Sequence, residues 1–192
     1  MKIVILTEIL STHSGSRAPI ELAKQLSSDN KITLFTYSLK ADEKVKKELQ
    51  NLGIKVFLIE PVKFPLGKLL AAFKFLPFLK NYDLISFHGT LPVFLVAKLS
   101  DLPIIQTYYG TQLDAYLEKF LPFQEPSLKD KFFNLFGNQL VLLIQKVYFR
   151  LSTQTIAISQ YTKEEAKKLY GRKIPFIHLG ANPLPITLYP RP

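Results

Sequence analysis

The sequence predicts an α/β fold, a parallel sheet of about seven short strands wrapped by helices. Three observations carry that expectation. Short apolar or β-branched runs alternate along the chain with segments of helical periodicity. Those runs are apolar throughout, as strands covered on both faces are. The links are short, which suits right-handed crossovers that bring every strand's C-terminal end to one edge.

The strands expected in order are 2–7 (KIVILT), 31–37 (KITLFTY), 54–59 (IKVFLI), 83–87 (DLISF), 103–108 (PIIQTY), 154–158 (QTIAI) and 174–178 (IPFIH). The first helix, 17–27, puts Ile20, Ala23 and Leu26 on one face and tolerates Pro19 in its first turn. The second, 43–52, follows Asp42 as cap, carries Val45, Leu49 and Leu52 as its stripe, and stops at Gly53. Within 62–80, Leu66, Leu69, Leu70 and Phe73 share a helical face, and Pro77 ends or kinks the helix. Helices are also expected over 92–99 and 128–151. A last one, 163–170, follows Thr162, with Glu165 completing a capping box and Gly171 as stop. Residues 1–182 read as one domain. Residues 183–192 read as a Pro-rich tail or the start of an interdomain linker, since 181–192 holds four prolines in twelve residues.

Composition narrows the function. At 192 residues and 47% hydrophobic the chain can bury a real core. It has no cysteine, which excludes disulfides, thiolate metal ligands and a cysteine nucleophile. The opening MKIVILTEIL is interrupted by Glu8 and lacks the cleavage site of a signal peptide. The greasy run 140–151 carries Lys146 and Arg150 and is shorter than the roughly 20 residues of a membrane span. The expected location is cytoplasmic, or peripheral on the inner face of the cell membrane. The net charge of +10 suits a polyanion, either nucleic acid or anionic lipid, or simply a soluble basic protein. No nucleic-acid-binding module is recognisable and the aromatics sit in apolar runs, so nucleic acid is not expected as a partner.

Several chemistries have no signature. There is no P-loop, no G-x-S-x-G elbow and no dinucleotide fingerprint. His13, His88 and His178 show no ligand spacing, and no D-x-D pair is present, so neither a metal nor a cofactor is expected. What remains is a set of strand ends, where ligands bind in such sheets. Ser14-Gly15-Ser16-Arg17 leads into a helix whose first N–H groups suit an anion, or forms a plain turn. His88, in Phe87-His88-Gly89-Thr90, polarises a hydroxyl or is structural. Tyr109-Gly110-Thr111-Gln112 ends an apolar strand with more hydrogen-bonding groups than a turn needs. Ser159 opens a helix, as a cap in preference to a catalyst.

Taken in order, these pieces resemble the N-terminal, Rossmann-like domain of GT-B glycosyltransferases, specifically the retaining family 4 group. The matching stretches are MKIVILTEILSTHSGSRAPIELAKQLS, YDLISFHG, PIIQTYYGTQ, TIAISQYTKEEAKKLYG and FIHLGANP, spread over residues 1 to 183. The resemblance implies an acceptor-holding domain that needs no metal. It implies that Gly15 and Ser16, with Arg17, face the donor's diphosphate. It places Tyr109 and His88 as catalytic residues at the reacting centre, with Gly110, Thr111, Gln112 and Ser159 binding substrate.

Two residues depart from the family pattern. The family's histidine is Tyr109 here, and its aspartate is Gln112. A phenol titrates near ~10, so Tyr109 can donate a hydrogen bond but is no base near neutrality. The family's donor domain, which holds most of the nucleotide-sugar pocket, has no counterpart in these 192 residues. The expected function is therefore the acceptor-binding half of a glycosyltransferase. It would move a sugar from a nucleotide sugar to a lipid-linked or cell-envelope glycan, completed by a partner subunit or domain that binds the donor. The alternative is a non-catalytic adaptor that binds a glycan, a membrane or a partner subunit. Residues 62–80, with four lysines and no acid, and 128–151 add apolar basic surface suited to anionic lipid.

Overall fold

A computed structural model describes residues 1–11, 17–37, 41–60, 67–110 and 128–178; between 128 and 138 only Gly137 is described beyond the backbone. Six strands form one all-parallel sheet: β1 Lys2–Thr7, β2 Lys31–Tyr37, β3 Lys55–Ile59, β4 Leu84–His88, β5 Ile104–Tyr108 and β6 Gln154–Ala157, in the order β3-β2-β1-β4-β5-β6. The helices are α1 Arg17–Leu26, α2 Glu43–Asn51, α3 Gly67–Phe73, α4 Leu76–Leu79, α5 Leu91–Lys98, α6 Leu128–Leu151 and α7 Gln160–Tyr170.

Alternation along β1 sorts the core into two layers. Ile3 and Ile5 join Ile20, Ala23, Val45 and Leu49 under α1 and α2. Val4 and Leu6 join Ala71, Phe75, Phe94 and Tyr148 under α3 to α6. Side chains buried on both faces are what the apolar runs require. A third, smaller cluster of Tyr108, Phe149, Ala157, Ala166 and Ile174 closes the β6 edge.

Several expectations are corrected. The sheet has six strands, not seven. The segment 174–178 makes a single bridge to β6, in which Pro175 O accepts from Ala157 N–H and Ile177 N–H donates to Ala157 O, both at 2.9 Å. Pro175 has no N–H to give a ladder, so pairing stops there. The last helix starts one turn earlier than its expected Thr162 cap. Ser159 is the N-cap and Thr162 its reciprocal partner in the capping box, while Glu165 is buried and serves another bond. Finally, 67–79 is two helices, with Pro77 in the first turn of α4. Leu70 and Phe73 are 53% and 44% exposed, and Ala71, Ala72, Phe75 and Leu79 are buried in their place. Leu66 lies outside the described residues.

Leu52, expected on the α2 stripe, is instead the C-cap and 50% exposed, because the helix ends at Asn51 and the chain turns away there. Other local expectations hold. Asp42 Oδ1 accepts from the Lys44 and Val45 N–H groups at 2.9 and 3.5 Å. Gly171 closes α7 in the left-handed region at φ 65°. No helix among the described residues is long and apolar enough to cross a membrane.

Candidate functional site

The parallel order brings the carboxyl ends of β1, β4 and β5 side by side. Phe87 of β4 pairs with Gln106 of β5, so the chain leaves both strands at the same level. A cavity of about 180 Å³ opens there. Residues 87–89 and 106–110 line it together with Gln145 and Tyr148 of α6. None of the described residues that line it is Asp, Glu, Lys or Arg. Among the described residues, no group of three or more His, Asp or Glu side chains is placed to hold a metal ion.

His88 and Tyr109 meet in this cavity. His88 Nδ1 lies 2.6 Å from the Tyr109 hydroxyl, and His88 Nε2 lies 2.9 Å from Ser86 Oγ. Burial pulls the His88 pKa down to about 4, so the ring is neutral at pH 7. A neutral imidazole has one N–H and one lone pair, so one nitrogen donates and the other accepts. Both are occupied within the chain. His88 thereby fixes the Tyr109 ring and leaves the phenol oxygen as the polar group presented beside it. Burial also holds Tyr109 well above the ordinary phenol range, so it does not ionise near neutrality.

The neighbouring Tyr108 has the opposite character. It is 2% exposed, and its hydroxyl donates to Glu165 Oε2 at 2.8 Å. Burial and that bond keep it a phenol at any ordinary pH. Both tyrosines line the cavity, but the Tyr108 hydroxyl ties β5 to α7 while the Tyr109 hydroxyl is bonded to His88.

Gly110 follows at φ +77°, where only glycine is unstrained. A Cβ built on it would lie 2.4 Å from Thr162 Cγ2 and 2.7 Å from Glu165 Oε2. The strand end therefore lies directly on the first turn of α7. Ser159 is spent on that turn, its Oγ accepting from Thr162 N–H at 3.1 Å, and it does not line the cavity. Arg17 opens α1 with its side chain exposed, and it too is absent from the lining. Gly15, Ser16, Thr111 and Gln112 lie outside the described residues.

Sequence reasoning missed Gln145, Tyr148 and Glu8. Gln145 and Tyr148 sit three apart on α6, inside a run read only as greasy. The signal was there: an amide on the buried stripe of an apolar helix needs a reason. Glu8 was noted only as breaking an apolar run. It follows β1, accepts a hydrogen bond from Thr90 Oγ1 at the start of α5, and lies 3.5 Å from Lys68 Nζ. Its charge contributes to raising the Tyr148 pKa, after burial.

The fold is shared with several solved structures. The Anabaena protein Alr3699/HepE, in complex with UDP and glucose, matches at TM-score 0.63 and 19% identity over 95% of this chain and 45% of that one. Arabidopsis thaliana UGT89C1, complexed with UDP-L-rhamnose, matches at 0.53 and 12% over 93% and 52%. A UDP-N-acetylglucosamine 2-epimerase matches at 0.53 and 12% over 93% and 47%. The chain thus spans about half the length of these structures. No curated protein matches it. The family model described as Glycosyltransferase Family 4 matches residues 16–183. By that match, over most of its length, the chain belongs to glycosyltransferase family 4.

Proposed function

We propose that this domain is the acceptor-binding half of a glycosyltransferase. The sugar comes from a nucleotide sugar, and the acceptor is a lipid-linked or cell-envelope glycan. The donor-binding domain is supplied from outside these 192 residues, further along one polypeptide or on a partner subunit. One observation carries this reading. The family match coincides with an uncharged, aromatic-walled cavity at the carboxyl edge of the sheet, and the Tyr109 hydroxyl is held beside it by His88.

In this reading Tyr109 touches the acceptor and orients its hydroxyl, and His88 positions Tyr109. The gain is orientation, which is worth several kcal/mol of barrier when the attacking group is fixed. Gly15, Ser16 and Arg17 face the donor diphosphate across the cleft to the second domain. Thr111 and Gln112 extend the acceptor site, and Gly110 and Ser159 shape it. The exposed Leu70, Phe73 and Phe78, beside exposed Lys68, Lys74 and Lys80, support peripheral contact with an anionic membrane from which a lipid-linked acceptor is drawn.

Thermal unfolding with two ligand types tests the assignment. A ligand at 100 times its dissociation constant stabilises by about 2.7 kcal/mol. A short-chain lipid-linked sugar should raise the midpoint, and UDP or UDP-glucose alone should not. A shift with nucleotides only would move the donor site onto this chain and overturn the reading.

One observation favours a second reading, a non-catalytic binding module. Neither His88, with both nitrogens occupied, nor Tyr109, held as a phenol, is a free base. Transfer restored by adding a family donor domain would exclude that reading. Acceptor binding without transfer in the same mixture would establish it.

A further inference from the structure

One edge of the sheet is covered and the other is open. At β6 the segment 174–178 lies alongside, bridged to Ala157 through Pro175 O and Ile177 N–H. At β3 no described residue pairs with the outer side. Natural edges are blunted by lysine, proline, a bulge or a covering segment. Lys55 opens β3, but Val56, Phe57, Leu58 and Ile59 follow with no charge, no proline and no break in the register with β2.

Phe57 gives that edge its specificity. Its register partner on β2 is Phe35, and the two rings stack at 4.9 Å with their planes 13° apart. That distance is the spacing of neighbouring strands, about 4.7–4.9 Å. Phe78 lies 5.8 Å from Phe57 and 6.3 Å from Phe35. It therefore caps both rings from one side and leaves the outer face of Phe57 clear. Phe57 is 38% exposed, the open end of an aromatic stack. The group that completes the stack is a flat ring one strand spacing further out.

We infer that β3 pairs antiparallel with β3 of a second copy of this chain, about a two-fold axis at Phe57, joining the two sheets edge to edge. Such an axis, normal to the sheet, brings identical edges together and keeps every side chain on its own face. It sets Phe57 opposite Phe57 of the second copy, and Val56 opposite Leu58. The stack then runs from Phe35 through both Phe57 rings to Phe35 of the second copy, a favourable cross-strand aromatic pairing. Lys55 comes one residue off register from Glu60 of the second copy, so opposite charges meet at both ends of the seam. An in-register parallel seam would set Lys55 against Lys55 and is disfavoured. β2 and β1 separate the seam from the cavity at β4 and β5, so both cavities stay open. The inference therefore stands apart from the sugar-transfer reading. Because faces are kept, the exposed Leu70 and Phe73 of both copies come to one side of the joined sheet.

Sedimentation equilibrium of the full chain tests it, from about 5 to about 500 μM. One strand pair is a small interface, so a dimer with a Kd of about 1–100 μM is expected. Phe57→Lys puts like charges across the axis and should raise Kd at least about tenfold. Phe57→Thr, β-branched but without the ring, serves if the lysine variant does not fold. Leu143→Thr, exposed on α6 beyond the seam, should leave Kd within about twofold.

The chain has no cysteine, so introduced thiols report the register. Val56→Cys mixed with Leu58→Cys should form a disulfide under mild oxidation, because their Cα atoms lie about 4.5–5.5 Å apart across the seam. Neither variant should cross-link alone, since each residue is about 8 Å from its own counterpart, beyond disulfide reach. A chain still monomeric at the top of the concentration range would overturn the proposal and leave the edge to a strand of a different protein. A dimer untouched by both Phe57 variants, or one that lacks the mixed cross-link, would overturn it as well.

Discussion

The two faces of this sheet are finished differently. Under α1 and α2, each helix buries one narrow stripe and turns charge to water. Lys24 bridges Glu21 at 3.2 Å and Glu48 at 2.7 Å, joining the two helices, and Lys46 meets Glu43 at 3.2 Å. Under α3 to α6, the core is larger and richer in aromatics, with Phe87, Phe94 and Tyr148 in mutual contact at centroid distances of 4.7 to 5.4 Å. Yet apolar side chains remain in water there: Leu70, Phe73, Phe78, Leu95, Leu140 and Leu143 are each more than 40% exposed. The first face is complete in itself. The second has more apolar surface than its own core uses, and it carries the wall of the cavity. Surplus apolar surface on one side of a domain marks where something else docks.

The sharpest way to break the second face is at the strand end that closes it. Gly110→Ala must adopt φ +77° and place a Cβ against Thr162 Cγ2 and Glu165 Oε2. The left-handed backbone costs about 1–2 kcal/mol and the overpacking about 1–3 kcal/mol. A loss of about 2–5 kcal/mol in urea unfolding is expected. A Gly53→Ala control, also at positive φ but with nothing within 4 Å of its Cβ, should lose only the backbone part. Equal losses at the two sites would show that Gly110 has room to spare and that β5 does not lean on α7.

A second contrast is in pH. Above 6.5 the folded and unfolded chains both hold His88 neutral. Between 6.5 and about 4 the unfolded chain takes up a proton that the buried ring refuses. Stability therefore falls as pH drops through that window, by at most about 3 kcal/mol. His88→Asn keeps a polar side chain without the titration and should flatten that part of the profile. The ion pairs over α1 and α2 are partly exposed and should add little to the slope. An unchanged slope in the variant would place the acid sensitivity elsewhere.

These contrasts also show what the sequence could carry. The face under α1 and α2 was legible apart from Leu52, which the end of the helix turns to water, because Asp42, Val45, Leu49 and Gly53 are local signals that tertiary packing did not override. The end of α7 was legible at Gly171 for the same reason, but its start was displaced by a turn, since Ser159 and Thr162 both look like caps. On the other face the periodicity misled. Leu69 packs against the core as expected, but Leu70 and Phe73 face water while Ala71 and Ala72 face the core, and the sequence has no way to mark surplus apolar surface as outward. The seventh strand failed at Pro175, a breaker within an otherwise strand-like run. At the site, His88 and Tyr109 could be named from their strand ends. Their mutual bond depends on the β4–β5 register, and Gln145 arrives from a helix nearly sixty residues further along than His88.

A milder perturbation tests the completeness of the first face. Asp42→Ala removes the cap that accepts from the Lys44 and Val45 N–H groups. It should cost about 1 kcal/mol in thermal unfolding, as exposed N-caps do. Ser159→Ala on α7 leaves the more buried capping box half made, and should cost at least as much. The reverse order would mean that the β6 edge is held by Tyr108 and Glu165 alone.

The smallest expected change in stability bears on the largest functional question. Leu70 and Phe73 are exposed, so a Leu70→Ser, Phe73→Ser double variant should unfold within about 0.5 kcal/mol of the parent. If the second face meets lipid, the same variant should lose most of its binding to vesicles containing anionic phospholipid, because the apolar insertion is gone while the lysines remain. Raising the salt should then weaken what is left, since lysine attraction to head groups is screened within about 10 Å at 0.1 M. A matched pair on the first face, Lys46→Ser with Lys47→Ser, removes charge without touching apolar surface and should change vesicle binding far less. If both pairs lower binding equally, the protein is held by its net charge of +10, and the surplus apolar face does not act on lipid.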